Sequence, residues 1–256
     1  MPKRRAAPGS RASIRKSAGA HSSEARRLSD RQIELLRPRE IRAALSANSV
    51  IWLPLGAIEW HGEHLPVGSD ALIAQGLCLA AAQIVGGLVL PPLHFGIGGK
   101  HGDYPWSVLM GGGQEVEALL AQTARRLSAM EVDRFVVLSG HFASEQLDTI
   151  DRFAESWNAT GTRPRIVATS IDRCPDMQLT PDHAGAFETA LLSAIEPDAV
   201  AIGELPSVAA APDHKNREDP ESPLWGVTGT DPRTVDLGQG EELRNRLVEW
   251  LVRLSR

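Results

Sequence analysis

The sequence predicts an α/β protein in which a mostly parallel sheet is covered by helices on both faces. Three observations carry this expectation. Strand-like and helix-like segments alternate four times along the chain. The strand-like runs are apolar throughout instead of at every second residue, as in strands buried on both faces. A chain of 256 residues is also long enough to bury one sizeable core.

The elements follow in order. Residues 1–28 are set aside from the fold as a disordered basic tail, and one domain is expected over 29–256. Residues 1–27 carry eight Lys/Arg and a single acid. They lack the apolar stretch of a secretory signal, though their Arg/Ser/Ala-rich make-up also resembles an organellar transit peptide. "SDRQ" has the Ser-x-x-Gln form of a capping box, and "RPREIRAALSA" reads as a short helix. Next come "VIWLPLGAI" as a strand, "DALIAQGLCLAAAQIVGG" as a long apolar helix closed by glycines, and "LVLPPLHFGI" as a strand. "GQEVEALLAQTARRLSAME" is amphipathic, with Val116, Leu119, Leu120, Thr123 and Leu127 on one face. "RFVVLSG" and "RIVATSI" are strands flanking the helix "SEQLDTIDRFAESWNAT", and "AFETALLSAI" opens a further helix. Residues 206–240, rich in Pro, Gly and Asp, read as long loops before an amphipathic closing helix at 241–256.

Composition excludes several function classes. The chain is 42% hydrophobic and 23% charged with a net charge of −5, and no apolar run is long enough to span a bilayer. Basic residues outside the tail are dispersed, so neither nucleic acid nor a membrane surface is an expected partner. Cys78 and Cys174 are too few and too far apart for a disulfide framework or a cysteine zinc site. They read as buried thiols in a reducing compartment, which points to the cytoplasm.

Ligands of parallel α/β sheets bind beyond the carboxyl ends of the strands. Glu59 and His61 lie at the end of the first strand, two residues apart and therefore on one side of an extended backbone. Asp70 stands just before the next helix, and His141 directly follows "VVLSG". His183 and Glu188 lie in "DHAGAFETA", where another helix begins. Taken singly, each has an ordinary explanation; Asp70, for instance, suits a helix N-cap. His21 and His214 read as ordinary surface or packing histidines. Together, carboxylates and imidazoles at successive strand ends suit Zn²⁺, Mn²⁺ or Fe²⁺. One carboxylate bridging two ions would allow a two-metal site with an activated water.

Other motifs fail. "GIGGKHG" lacks both the Gly-Lys-Ser/Thr ending of a P-loop and the spacing of a dinucleotide fingerprint. "HGEHLP" spaces its histidines three apart where a zincin helix needs four, and no Gly-x-Ser-x-Gly elbow is present.

The stretch "LPLGAIEWHGEHLPVGSD" resembles the first signature of the creatininase family (creatinine amidohydrolases and relatives). "HAGAFETA" is similar to that family's His-Ala-Gly-x-x-Glu-Thr-Ser segment, and "GVTGTDPRTVDLGQG" to its late Gly-Val-x-Gly-Asp-Pro stretch. The similarity runs over residues 51–251. It implies a three-layer α/β/α amidohydrolase with two divalent ions, commonly Zn²⁺ or Mn²⁺, a small-molecule substrate and a homo-oligomer, often a hexamer. Carried over by position, Glu59 would hold one ion and His61 the other, Asp70 would bridge them, and His141 would complete the first shell. Creatininase supplies a further Glu where this chain has Ala143, so Glu188 is expected for the second ion, with Glu145 a weaker substitute. His183 matches the histidine that handles protons or substrate, with Glu188 beside it in the catalytic set. His64 would orient a ligand or the loop.

This chain departs from the family around the substrate. Asn-Gly-His-Gly-Gly-Asn is here "SGHFASE", and His-x-x-Phe-Pro-Gly-Thr is here "HGDYPWS". Phe142 and Trp106 in place of glycine are expected to narrow the pocket, with Trp60 and Trp225 as further aromatic candidates. The resemblance therefore implies a hydrolase of a small cyclic amide, formamide or related carbonyl compound acting through a metal-bridging hydroxide, without carrying creatinine over as substrate. Two alternatives stay open. One is a non-catalytic family member acting as a binding or assembly subunit. The other is a ring-opening hydrolase of a cyclic ketone or lactone.

Overall fold

In the computed structural model, which describes residues 30–175, 177–208 and 217–256, two packing partners explain the unbroken apolar strands. Along β1 (Val50–Leu55), Val50 and Trp52 join one hydrophobic cluster, while Ile51, Leu53 and Leu55 join another. Along β3 (Arg134–Ser139), Val136 and Leu138 face the first cluster and Phe135 and Val137 the second. With β2 (Leu88–Val89) and β4 (Arg165–Ser170) they form a wholly parallel sheet ordered β2-β1-β3-β4. Leu55 pairs with Ser139, and Ser139 with Ser170, so three strands end level.

Helices cover both faces. α2 (Ser69–Val85), α5 (Ala186–Ile195) and α6 (Gln239–Leu254) pack on the first cluster through Ile73 and Leu77, Phe187 and Leu191, and Leu243 and Leu247. α3 (Gln114–Ser128) and α4 (Ser144–Ala159) pack on the second through Leu120 and Phe153. α1 (Pro38–Ala47) adds Ile41 and Leu45 to that side. The layering is α/β/α. No helix among the described residues is long and apolar enough to cross a membrane, and Cys78 and Cys174 are both buried.

Three local expectations are corrected. The strand expected over 88–97 is only Leu88–Val89, because Pro91 and Pro92 bring no N–H to a ladder. The chain still runs beside β1: Leu90 N–H donates to the Trp52 carbonyl (2.8 Å) and Leu93 N–H to that of Pro54 (3.0 Å). On α3 the buried residues are Val116, Leu120, Ala124 and Leu127, whereas Leu119 is 48% exposed. Thr123 turns its hydroxyl back onto the Leu119 carbonyl. Before α1 the chain makes a short 3-10 turn at Ile33–Leu35. The tail 1–28, Ser29 of the expected capping box, His21 and His214 lie outside the described residues.

The junction of β1, β3 and α2 is tight at two glycines. A Cβ on Gly56 would fall 2.2 Å from Ala71 N, and one on Gly140 would fall 2.0 Å from the Asp70 carbonyl oxygen. Both contacts are with main chain, which cannot swing aside. Only glycine lets α2 start this close to the strand ends, and that contact sets Asp70 against His141.

Candidate metal centre

Glu59 and His61 leave the end of β1 on a loop closed by Glu59 N–H donating to the Val67 carbonyl (2.8 Å). Asp70 is in the first turn of α2, but it does not cap it: Gly68 stands at the N-cap with no side-chain bond, and the Asp70 carboxylate faces His61 instead. His141 follows β3. Glu188 is in the first turn of α5, whose start is held by Asp182: its carboxylate accepts N–H from Gly185 (3.2 Å) and Phe187 (3.1 Å). Glu59, His61, Asp70 and Glu188 are each at most 1% exposed.

The distances bring these groups together. His61 Nε2 lies 3.0 Å from Asp70 Oδ1 and 3.4 Å from Glu188 Oε2. His141 Nδ1 lies 2.9 Å from Glu59 Oε2 and 3.3 Å from Asp70 Oδ2. His183 Nδ1 is 4.0 Å from Glu59 Oε2. Asp70 thus turns one oxygen to each of two histidines. Glu59, His61 and Asp70 offer three donor atoms within 4.8 Å of one another, as do His61, His183 and Glu188.

The other nitrogen of each ring faces a main-chain carbonyl, which can only accept. His61 Nδ1 donates to Glu59 O (2.9 Å), His141 Nε2 to Ile97 O (3.2 Å) and His183 Nε2 to Trp60 O (2.7 Å). A ring fixed in this way turns its remaining nitrogen inward, the usual arrangement of metal-binding histidines. Gln146 ties two of these segments together: its Oε1 accepts from Ile97 N–H (3.0 Å), and its Nε2 donates to Ser139 Oγ (2.7 Å) and to the His141 carbonyl (3.3 Å).

Burial opposes charge on these groups, and their neighbours decide the outcome. His101 and His141 overcome it to hold Glu59 down at about 2. His61 and His141 likewise keep Asp70 well below the usual carboxylate range. Asp70 and Glu59 raise His141 to about 10, and Asp70 and Glu188 raise His61 well above its ordinary value, again against burial. Burial prevails elsewhere, lifting Glu188 to about 7 and lowering His183 to about 3, with charge on His61 adding to the effect on His183. Yet Glu59 Oε2 and Asp70 Oδ2, though buried, have no hydrogen-bond partner, because the His141 ring approaches them off the hydrogen-bond direction. Converging carboxylate oxygens without donors, beside inward-turned imidazoles, are a donor set that suits divalent cations.

Other expected residues fall elsewhere. His64 is buried with Nε2 3.1 Å from Thr189 Oγ1, one residue from Glu188, and bonds none of Glu59, His61, Asp70, His141 and Glu188. Phe142 lines the cavity over the cluster. Trp106 does not: it is 78% exposed on a left-handed backbone (φ 63°), the conformation that favours glycine. Trp60 is buried, donates Nε1–H to Trp225 O (2.8 Å) and packs on the Trp225 ring, so neither ring lines the cavity. Glu145 lies on the far side of the 98–99 main chain and does not reach the cavity.

His101 was not among the expected site residues. Its Nδ1 is 2.9 Å from Glu59 Oε1, its Nε2 donates to Gly226 O (2.9 Å), and its ring stacks on His183 at 4.0 Å. The signal was available, since "HGDYPWS" aligns with a family motif that begins in histidine. Lys100 and Thr228, which line the same cavity, carried no such mark.

Comparison with known proteins bears on this arrangement. A creatininase family profile, described as creatinine amidohydrolase, matches residues 34–255. The creatinine amidohydrolase of Pseudomonas putida is 28% identical over 191 residues, 65% of this chain and 72% of that protein. The mycofactocin precursor peptide peptidase of Mycolicibacterium smegmatis is 27% identical over 211 residues, 78% of this chain and 81% of that protein. A crystal structure of creatininase superposes with a TM-score of 0.70 at 24% identity, covering 87% of this chain and 95% of that one. Structures described as creatininase with Mn and as a Zn-Zn type mutant creatininase superpose with TM-scores of 0.68 and 0.67, at 24% and 22% identity. Each covers 87% of this chain, and they cover 96% and 95% of their own.

Proposed function

The chain belongs to the creatininase family of amidohydrolases, and from that premise we propose that it hydrolyses a C–N bond in a small cyclic amide or formamide with two divalent cations, Zn²⁺ or Mn²⁺. Glu59 and His141 would hold one ion, His61 and Glu188 the other, and Asp70 both. The two oxygens of Asp70, turned to His61 and His141, support that bridging role. Such cations supply Lewis acidity that polarises a carbonyl and activates water at neutral pH.

The protein's own groups do the rest. His183 is kept neutral by burial and keeps its proton on Nε2, bonded to Trp60 O. Its bare Nδ1 takes the proton released as water attacks and returns it to the leaving nitrogen as the C–N bond breaks. His101, stacked on that ring and facing Glu59, holds both in place. Phe142 and the 99–100 main chain wall the cavity and limit water.

The single observation that carries this reading is that three imidazoles donate to main-chain carbonyls and turn their other nitrogen toward buried carboxylates. Removing metal with a chelator should abolish turnover, and Zn²⁺ or Mn²⁺ should restore it. Asp70→Asn should lower both bound metal and rate at least about a hundredfold. Full turnover after chelation, or normal metal content in Asp70→Asn, would overturn the reading. The peptidase relative favours a second reading, in which the bond is a peptide bond. Assays of short peptides beside cyclic amides separate the two.

A further inference from the structure

We infer that the substrate carries a carboxylate, which Lys100 binds at the rim of the cavity; this rests on the cavity being the hydrolytic site. "GIGGKHG" matched no phosphate loop, and the structure gives its glycines a different use. Gly98 and Gly99 are both left-handed (φ 75° and 86°). A Cβ on Gly98 would lie 2.5 Å from Glu145 Oε2, and one on Gly99 would lie 3.4 Å from both Glu59 Oε1 and His141 Cε1. The main chain is therefore hemmed in by Glu145 at Gly98 and runs past the imidazole and carboxylate cluster at van der Waals distance at Gly99. That leaves the next residue, Lys100, lining the cavity and the one after it, His101, on Glu59.

Lys100 is the only Lys or Arg among the residues lining this cavity, and it is exposed. No hydrogen bond or ion pair engages its ammonium among the described residues. The three carboxylates of the cavity do not need it: Glu59, Asp70 and Glu188 are buried and face imidazoles. A lysine held there makes no hydrogen bond or ion pair that serves the fold, and bound cations would set like charge beside it. An anionic group on the substrate makes the position favourable.

The rest of the cavity narrows the class. At about 250 Å³ it lies below the usual range for drug-sized ligands, which selects a compact molecule. Phe142 and Ala143 offer an apolar wall. Thr228 Oγ1 accepts from His183 N–H (3.0 Å), which leaves its own O–H to donate to a ligand. A single ammonium balances the one charge of a carboxylate but not the roughly doubled charge of a phosphate, and no P-loop stands beside it to make up the difference. The ligand is thus a small amide whose carbonyl sits over the buried cluster, its carbon skeleton on Phe142 and its carboxylate on Lys100.

Calorimetric titration of the metal-loaded protein tests this with matched probes: 5-oxoproline and N-formylalanine, each against its carboxamide. Wild type should bind each acid about tenfold more tightly than its carboxamide, the gain of one charge-assisted hydrogen bond. Lys100→Ala should shrink that preference to about twofold or less, Lys100→Arg should keep most of it, and added salt should weaken it. Equal affinity for acid and carboxamide in wild type overturns the inference, as does failure of both acids to bind. A preference undiminished in Lys100→Ala also overturns it, because the cations and not the lysine would then hold the carboxylate. Hydrolysis followed in parallel separates the two readings. Acids bound with the expected preference yet never cleaved sink the hydrolase and leave Lys100 its role; equal binding with cleavage sinks only the role of Lys100.

Discussion

His141 holds a proton that a cation must displace. Burial resists that charge, but Asp70 and Glu59 raise its pKa from the ordinary 6.5 to about 10. The raised pKa gives the metal-stripped protein stability that is complete below pH 6.5 and lost as pH climbs through about 10. Metal binding expels the same proton, so affinity grows over that range. The gap in Tm between loaded and stripped protein should therefore widen from pH 6.5 to about pH 9. Calorimetry in buffers of different ionisation enthalpy should also show proton release on loading, with His61 contributing. A gap that stays constant or narrows would contradict this. Most of these residues were legible in the sequence, because each stands just past an apolar strand or at the first turn of a helix. Lys100 and Thr228 were not, since only the folded loops bring them to the cavity.

At the scale of elements, the start of α2 is the sensitive joint. A methyl on Gly140 would meet the Asp70 carbonyl at 2.0 Å, and neither main chain can yield without moving β3 or α2. Gly140→Ala should cost about 3 kcal/mol in chemical denaturation and lower bound metal by shifting Asp70. Unchanged stability with full metal content would show that the joint gives way freely. Strands β1, β3 and β4 were readable because residues facing two helical layers are apolar at every position. β2 is shorter than its apolar run because apolarity hides what Pro91 and Pro92 do to a ladder. The buried face of α3 is not legible at Leu119 and Leu120, which are equivalent in composition. Only packing distinguishes Leu120, fully buried, from its exposed neighbour.

Across the whole molecule, a level sheet edge gathers side chains from segments more than a hundred residues apart, and α/β/α layering leaves that edge open. The resemblance to creatininases implies a hexamer, and exposed Phe95 (58%), Trp106 (78%) and Val108 (47%) give copies of the chain apolar surface to share. Light scattering should report a particle near six chains, and a monomer at micromolar concentration would remove that proposal. Trp106 illustrates what no pattern of residue types discloses. Its departure from glycine was legible, but its direction, outward and away from the cavity, depends on a backbone turn. The carbonyls that anchor His61, His141, His183 and His101 belong to Glu59, Ile97, Trp60 and Gly226. A carbonyl is supplied by whichever amino acid occupies a position. Glu59 is needed as a ligand and a Cβ on Gly226 would fall 2.7 Å from Trp60 Cδ1, but apolar exchanges at Ile97 leave its carbonyl aimed as before. A lineage can then exchange one foodstuff for another at the rim without rebuilding the machinery beneath.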